Sequence, residues 1–393
     1  NGLINPGVIF NDDQKCHLKH FKPLPVMRPE GELDEESEQI YDKLNKCIEC
    51  GFCEVNCLTC GFSLSSRTRI VLQRELSRLK QTGEDPKRLK TLTDQYRYLG
   101  NQTCAGDGLC SMSCPMGINV ADLTHEVRRA SLPSSSVGYH LGKYVANHFS
   151  NVKSVMRVGL NCADGAHHLI GTNGMNWFGK EFHNTFGLPL WTPSIPKGYK
   201  IPKIQQKVEP LKVVYFPSCI NQTMGLASKS PVRRPLAEEM VALLQKAGYE
   251  VIFPKEMDSL CCGTIWESKG MPDVADRKTA DLEASLWAAS EEGKYPILCD
   301  QSPCLHRMKK KITKMKLYEP VEFIYTYLLD KLMFTQIDRP IAVHITCSTR
   351  LMGVEDMLID LAKRCSSHVL IPEGVGCCGF AGDKGFTQPE VNA

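Results

Sequence analysis

The sequence predicts a mixed fold: a helical, cysteine-rich region followed by repeated α/β units. Three observations predict it. Cysteines crowd into two loop-like runs, 47–57 and 104–114, set between short amphipathic segments. After a proline-rich stretch the pattern changes to short apolar runs of strand type alternating with helical periodicity, as expected for largely parallel sheets. That α/β pattern then starts again near Ile341, which makes it an internal repeat.

Taken in order, residues 1–31 read as an irregular tail. Residues 33–46 suit a helix, with acidic residues early and Leu44 on its apolar side. Ser65 or Ser66 is placed to cap a helix through Ile70, Val71, Leu72, Leu76 and Leu79. Lys87 to Tyr98 and Val120 to Ala130 are further helices, and residues 137–170 have helical character. Gly187 to Pro210 carries Pro189, Pro193, Pro196, Pro202 and Pro210, and reads as a linker or a draped connection. Strands follow at 212–217, 250–253 and 295–299, with helices at 235–247, about 272–291 and 322–332. In the second copy, strands are expected at 341–347 and 368–371. The boundaries drawn are 1–31, 32–135, 136–210, 211–335 and 336–393, the last copy lacking its final strand. Both chain ends look cut, which points to a fragment of a longer protein.

The bulk numbers narrow the class. Of 393 residues 42% are hydrophobic, enough for ordinary buried cores, and a net charge of +3 implies no nucleic-acid partner. No apolar run approaches the roughly 18 residues of a membrane span, and the N-terminus has no export signal. A cytoplasmic protein is expected, with a peripheral position at the inner membrane as the alternative. In that setting 19 cysteines suggest metal or redox work, not disulfides.

Cys47, Cys50, Cys53 and Cys57 follow Cys-x-x-Cys-x-x-Cys-x-x-x-Cys. Two-residue gaps wrap one loop around several irons of a cubane cluster, while the fourth cysteine points to a second cluster. Gly51 supplies a tight bend. The second run, Cys104, Asp107, Cys110 and Cys114 followed by Pro115, fits the same frame with Asp107 where a cysteine is expected. Crossing over the fourth ligands assigns Cys47, Cys50, Cys53 and Cys114 to one [4Fe-4S] cluster. Cys104, Cys110, Cys57 and Asp107 are assigned to the other. A carboxylate suits such a cluster less well than a thiolate, so the second site is expected to interconvert between [4Fe-4S] and [3Fe-4S] forms. The competing account makes Asp107 a solvated loop residue, with Cys60 or water at the fourth iron. Structural zinc is the alternative for the whole constellation, but zinc commonly takes two cysteine pairs.

The α/β copies carry a second constellation. Cys219, Cys261, Cys262, Cys299 and Cys304 fall in the first copy; Cys347, Cys377 and Cys378 fall in the second. Adjacent residues of a strand point to opposite faces, so Cys261 and Cys262, or Cys377 and Cys378, can share a metal only if the chain bends. Gly263 and Gly379 permit that. A shared metal is the expectation and buried core cysteine the plain alternative. Cys16, Cys162 and Cys365 fit no pattern, and His167, His168 and His344 are not expected as ligands. The run 306–316 holds six Lys or Arg and is expected to be a solvated helix face; a docking patch for an acidic carrier or lipid headgroups is the alternative. Residues 64–99 carry nine basic and four acidic side chains. That excess either steadies anionic clusters or is ordinary solvation.

The two cysteine runs resemble the two-cluster bacterial ferredoxin module in the helical form of succinate dehydrogenase and glycolate oxidase iron–sulfur subunits. Leu58 stands where that pattern has a proline, and Asp107 where it has a cysteine. The Cys-Cys-Gly copies resemble the cysteine-rich CCG domains of heterodisulfide reductase and of glycolate- and lactate-oxidising complexes. This resemblance implies that the bound group is an iron–sulfur cluster or zinc. That family usually ends a copy with Cys-x-x-Cys, whereas here Cys299 and Cys304 leave open which one is the ligand. Asn1-Gly-Leu-Ile-Asn-Pro-Gly-Val-Ile9 resembles the close of FAD-linked oxidase domains. The full order resembles fused FAD and iron–sulfur dehydrogenases of D-2-hydroxy acids such as D-lactate or D-2-hydroxyglutarate. The resemblance implies a helical 2×[4Fe-4S] ferredoxin-like module followed by α/β CCG repeats. It also implies an upstream flavin domain that holds the FAD and substrate sites, and a quinone or soluble carrier as acceptor. A stand-alone iron–sulfur subunit of a glycolate oxidase or heterodisulfide reductase-like complex is the alternative.

Overall fold

The computed structural model describes residues 24–26, 28, 34–186, 190–203, 208–382 and 384–391. Most of the N-terminal tail, including Asn1–Ile9 and Cys16, lies outside them. The chain divides into two units, one of residues 1–104 and 110–123, the other of 105–109 and 124–393.

The first unit is helical. α1 (Glu35–Asn45) starts where the Asp34 side chain accepts the Ser37 amide at 2.9 Å, has Glu35, Glu36 and Glu38 in its first turn, and buries Tyr41 and Leu44. The first cysteine loop then turns at Gly51, whose φ of 88° is open to glycine. α2 (Ser66–Thr82) is capped by Ser65 and stops at Gly83, with Ile70, Leu76 and Leu79 buried as expected. Arg69 and Arg74 of the same helix are buried too. Ordinary solvation therefore does not account for these two members of the basic excess. α3 (Pro86–Tyr96) ends in a π-helical turn, Arg97–Gln102, where a plain helix to Tyr98 was expected. α4 (Val120–Ser131) begins in this unit and continues into the second from Thr124.

In the second unit, α5 (Val137–Asn147) precedes α6 (Phe149–Phe186), which runs well past the expected limit of 170 and is interrupted at Gly171, φ 70°. Of the proline-rich stretch, the described residues around Lys197–Tyr199 are draped. Tyr199 N donates to Thr223 O at 2.8 Å, and Gly225 N donates to Lys197 O at 2.9 Å.

The sheet consists of β1 (Leu211–Phe216), β2 (Tyr249–Ile252), β3 (Ile297–Cys299) and β4 (Leu317–Tyr318), all parallel, in the order β2-β1-β3-β4. α7 (Leu236–Lys246) connects β1 to β2. α8 (Thr264–Ser268) and α9 (Pro272–Ala289) lead to β3, and α10 (Ser302–Lys311) leads to β4. Strand alternation sorts two cores. Val214, Phe216, Ile297 and Cys299 pack with Leu282, Leu286 and Leu305 on one face. Val213, Tyr215 and Leu298 pack with Val241, Leu244 and Phe323 on the other. Both faces are covered, which is why β1 reads as a continuous apolar run.

α11 (Pro320–Phe323) passes into a π-helical turn, Ile324–Leu328, within the segment expected as one helix. The second copy is shorter than expected. β5 (Ile341–Ala342) pairs in parallel with β6 (Val369–Leu370). The apolar run through Ile345 does not stay in the sheet, because Thr346 caps α12 (Cys347–Leu351) by accepting the Thr349 amide at 3.3 Å. α13 (Glu355–Cys365) joins the two strands, and α14 (Lys384–Thr387) follows.

The basic run is not simply a solvated face. Arg307 is 3% exposed and donates from Nε to Cys262 O at 3.0 Å and from Nη2 to Asp276 at 2.6 Å. Lys309 pairs with Glu322 at 2.7 Å. The reason is position: Arg307 lies on the buried side of α10 with Leu305 and Met308.

Candidate iron–sulfur and thiol sites

Cys47, Cys50, Cys53 and Cys114 line one open-mouthed hollow, together with Ile70, Ile118 and Val120. Cys114 comes from the second run. Among the described residues, no three His, Cys, Asp or Glu side chains are placed to grip a single metal ion. Four thiols around a hollow instead suit a larger inorganic core, and the donor set fits a four-iron cluster. Burial raises the Cys47 and Cys53 thiols above their ordinary range, a cost that bonding to iron would remove. Arg74 fixes the loop by donating to Cys47 O at 3.0 Å and pairing with Glu49. Arg67 pairs with Glu54 at 3.1 Å.

Cys57, Cys104 and Cys110 belong to the same unit. Cys104 and Cys110 are buried, and the Val120 amide, at the start of α4, donates to Cys110 Sγ at 3.4 Å. Arg69 Nη1 lies 3.7 Å from Cys57 Sγ. Sulfur that accepts N–H bonds and faces a buried cation is suited to anionic thiolate. Cys60 is exposed.

Asp107 is placed with the second unit. Its Oδ1 accepts the Leu109 amide at 3.1 Å, and its carboxylate hydrogen-bonds Cys377 beside Cys347. The structure thus groups Asp107 with a Cys-Cys-Gly copy, a partnership that spacing alone did not suggest.

In the first copy, the strand order reverses between β1 and β3. The crevice beyond their carboxyl ends is where open α/β sheets gather ligands. Cys219 follows β1, Cys261 and Cys262 follow β2, Cys299 ends β3, and Cys304 lies in the first turn of α10. A chain of S–H···S contacts links Cys219 to Cys261, Cys261 to Cys262, and Cys262 to Cys304. Bonds from Cys261 and Cys304 pull the Cys262 thiol well below its usual range. The bond from Cys261 does the same, less strongly, for Cys219, helped by the Lys153 ammonium. Cys304 is therefore joined to the group. Cys299 is fully buried on the strand, and burial holds its thiol well up.

The bend expected at Gly263 is present. Its φ is 90°, and its amide donates to Cys261 Sγ at 3.5 Å. Gly379 repeats the device, with φ 69° and an amide 3.4 Å from Cys377 Sγ. A hydrogen bond from Cys377 brings the Cys347 thiol down to about 7 and raises that of Cys377. Cys378 is exposed. Cys162 is exposed and Cys365 half-buried. His167 bonds Thr172, His168 bonds Asp164 O, and His344 is exposed.

Sequence reasoning missed the buried cations. Arg69, Lys153 and Arg307 all sit on helix faces that otherwise carry buried side chains. The available signal was a cation in phase with the apolar stripe: Arg69 stands seven residues before Leu76.

Among the described residues no helix is long and apolar enough to cross a membrane. Residues 43–118 match the 4Fe-4S dicluster domain family, and residues 213–309 match the cysteine-rich domain family. Lactate utilization protein A 1 of Bacillus mycoides (strain KBAB4) is 28% identical over 173 residues, covering 40% of this chain and 69% of that protein. No solved structure matches the chain. The chain thus combines a 4Fe-4S dicluster domain with a cysteine-rich domain.

Proposed function

We propose that this chain is the iron–sulfur electron-transfer portion of a FAD-dependent D-2-hydroxyacid dehydrogenase. In this reading it receives electrons from a flavin domain and delivers them to a quinone or soluble carrier. The observation that carries the electron-transfer reading is the meeting of Cys114 with Cys47, Cys50 and Cys53 around one hollow. Bound four-iron clusters would supply single-electron steps with little change of geometry.

The chain's own residues hold and orient. The two cysteine loops present thiolates. Val120 N–H and Arg69 stabilise charge on Cys110 and Cys57. Gly263 and Gly379 aim amides at the first sulfur of each Cys-Cys pair. The Cys219, Cys261, Cys262 and Cys304 group is a candidate further centre, for an iron–sulfur cluster. The D-2-hydroxyacid substrate class is supported by the likeness of residues 1–9 to FAD-linked oxidase ends.

A second reading, a stand-alone subunit, is favoured by the relative, which is matched over 69% of its own length. Anaerobic purification with iron, acid-labile sulfide and electron paramagnetic resonance tests the common core. Two signals from a brown protein are expected, and a colourless, sulfide-free chain refutes it. Mixing the oxidised chain with a reduced D-2-hydroxyacid flavoprotein then separates the readings. Bleaching of the visible absorption at a saturable rate supports the dehydrogenase pairing, and its failure favours the other.

A further inference from the structure

The α2 arginines are not equivalent. Arg67 meets Glu54, Arg74 meets Glu49, and Arg78 meets Glu75 and Glu84. Arg69 is 1% exposed, and among the described residues it meets no carboxylate. Its Nε donates to Gly100 O at 2.7 Å, and its Nη2 donates to the hydroxyls of Thr59 and Thr103, both at 3.0 Å. Those hydroxyls are held as acceptors because Thr59 donates to Leu64 O and Thr103 to Leu99 O. Gly100 is part of the clamp. A Cβ there would lie 2.6 Å from the Tyr96 ring, so a larger residue would force that buried ring to shift beside the clamp. The guanidinium is thus fixed on three sides by neutral acceptors, with Nη1 aimed at Cys57 Sγ, 3.7 Å away.

A buried cation facing only neutral groups is costly, because its lost hydration is not replaced by an opposite charge. The cost falls if the fourth side carries an anion. We infer that Arg69 is the counter-charge and positioning residue for an anionic cluster held through Cys57, and that it raises that cluster's reduction potential above that of the Cys47 hollow. This rests on the iron–sulfur reading above. Reduction adds one negative charge, and a fixed positive charge without a competing carboxylate favours it. At the Cys47 hollow, Arg67 and Arg74 are each offset by a glutamate, so the bias there is smaller. Electrons would come to rest at the Cys57 side.

The test uses anaerobically purified wild-type chain, Arg69→Gln and Arg69→Lys, with redox titration followed by electron paramagnetic resonance. Cys57→Ser identifies which signal belongs to the Cys57 side. In Arg69→Gln that signal's reduction equilibrium should become at least tenfold less favourable, about 59 mV for a one-electron couple. The other signal should stay put, and Arg69→Lys should recover most of the shift. Equal potentials in wild type and Arg69→Gln, or an equal shift of both signals, would overturn the inference. If Arg69→Gln loses the Cys57-side cluster, its retention at wild-type potential in Arg69→Lys supports the charge role, and its loss there too overturns it. A wild-type chain without either signal fails the iron–sulfur reading itself, and is recognised before any variant is compared.

Discussion

Gly263→Ala is the perturbation whose cost the structure states most fully. Gly263 has φ 90°, and an added Cβ would lie 2.4 Å from Ala275 O and 3.0 Å from Arg307 Nε. Left-handed backbone costs an L-residue roughly 1–2 kcal/mol. Overpacking against fixed backbone adds about 1–3 kcal/mol. Ala275 O is that kind of obstacle, and Arg307 cannot yield freely because it bonds Cys262 O and Asp276. The sum, roughly 2–5 kcal/mol, corresponds to a melting-point drop of about 5–15 °C for a domain of this size. Gly248→Ala is the matched control: its φ is 80°, but nothing lies within 4 Å of its Cβ position, so only backbone strain remains. Anaerobic thermal unfolding by circular dichroism reads both. Gly263→Ala should melt several degrees below Gly248→Ala and, because its amide faces Cys261 Sγ, should lose iron from the first copy. Equal melting points for the two variants would refute the packing argument.

Further outcomes follow from named contacts. Cys114→Ser should remove close to one cluster's worth of iron and sulfide per chain, whereas Cys60→Ser at the exposed cysteine should leave both unchanged; metal analysis decides. Cys304→Ser should deplete metal from the first copy. Cys299→Ala should keep it and instead cost stability through a small core cavity, about 1–2 kcal/mol by chemical denaturation. Lys153, 1% exposed, bonds Gln222 Oε1 at 2.6 Å and lies over the Phe149 ring. Lys153→Met should therefore destabilise the second unit by about 2–4 kcal/mol, because the Gln222 carbonyl is left buried without its donor. Denaturant midpoints would show it.

The cysteine spacing made the first site legible. Cysteines two or three residues apart constrain where a loop can go, and the same pattern singled out Cys114, which lines the hollow with Cys47, Cys50 and Cys53. The bend at Gly263 was equally readable, because adjacent side chains on an extended chain diverge and only a turn brings both sulfurs to one place. The alternation of apolar runs and helices exposed the parallel sheet. It overestimated the second copy's strand, since Thr346 caps a helix where an apolar run suggested continued pairing.

Local spacing thus determined which cysteines are candidates and how the two loops interleave, because those constraints act over a few residues. Only the tertiary structure decided that Cys304 joins the thiol chain while Cys299 stays in the core, and that Asp107 sits beside Cys347 and Cys377. Only it showed that Arg69 and Lys153 are buried. These depend on which distant segments meet and on what water is excluded, and neither is written in the neighbours of a residue along the chain.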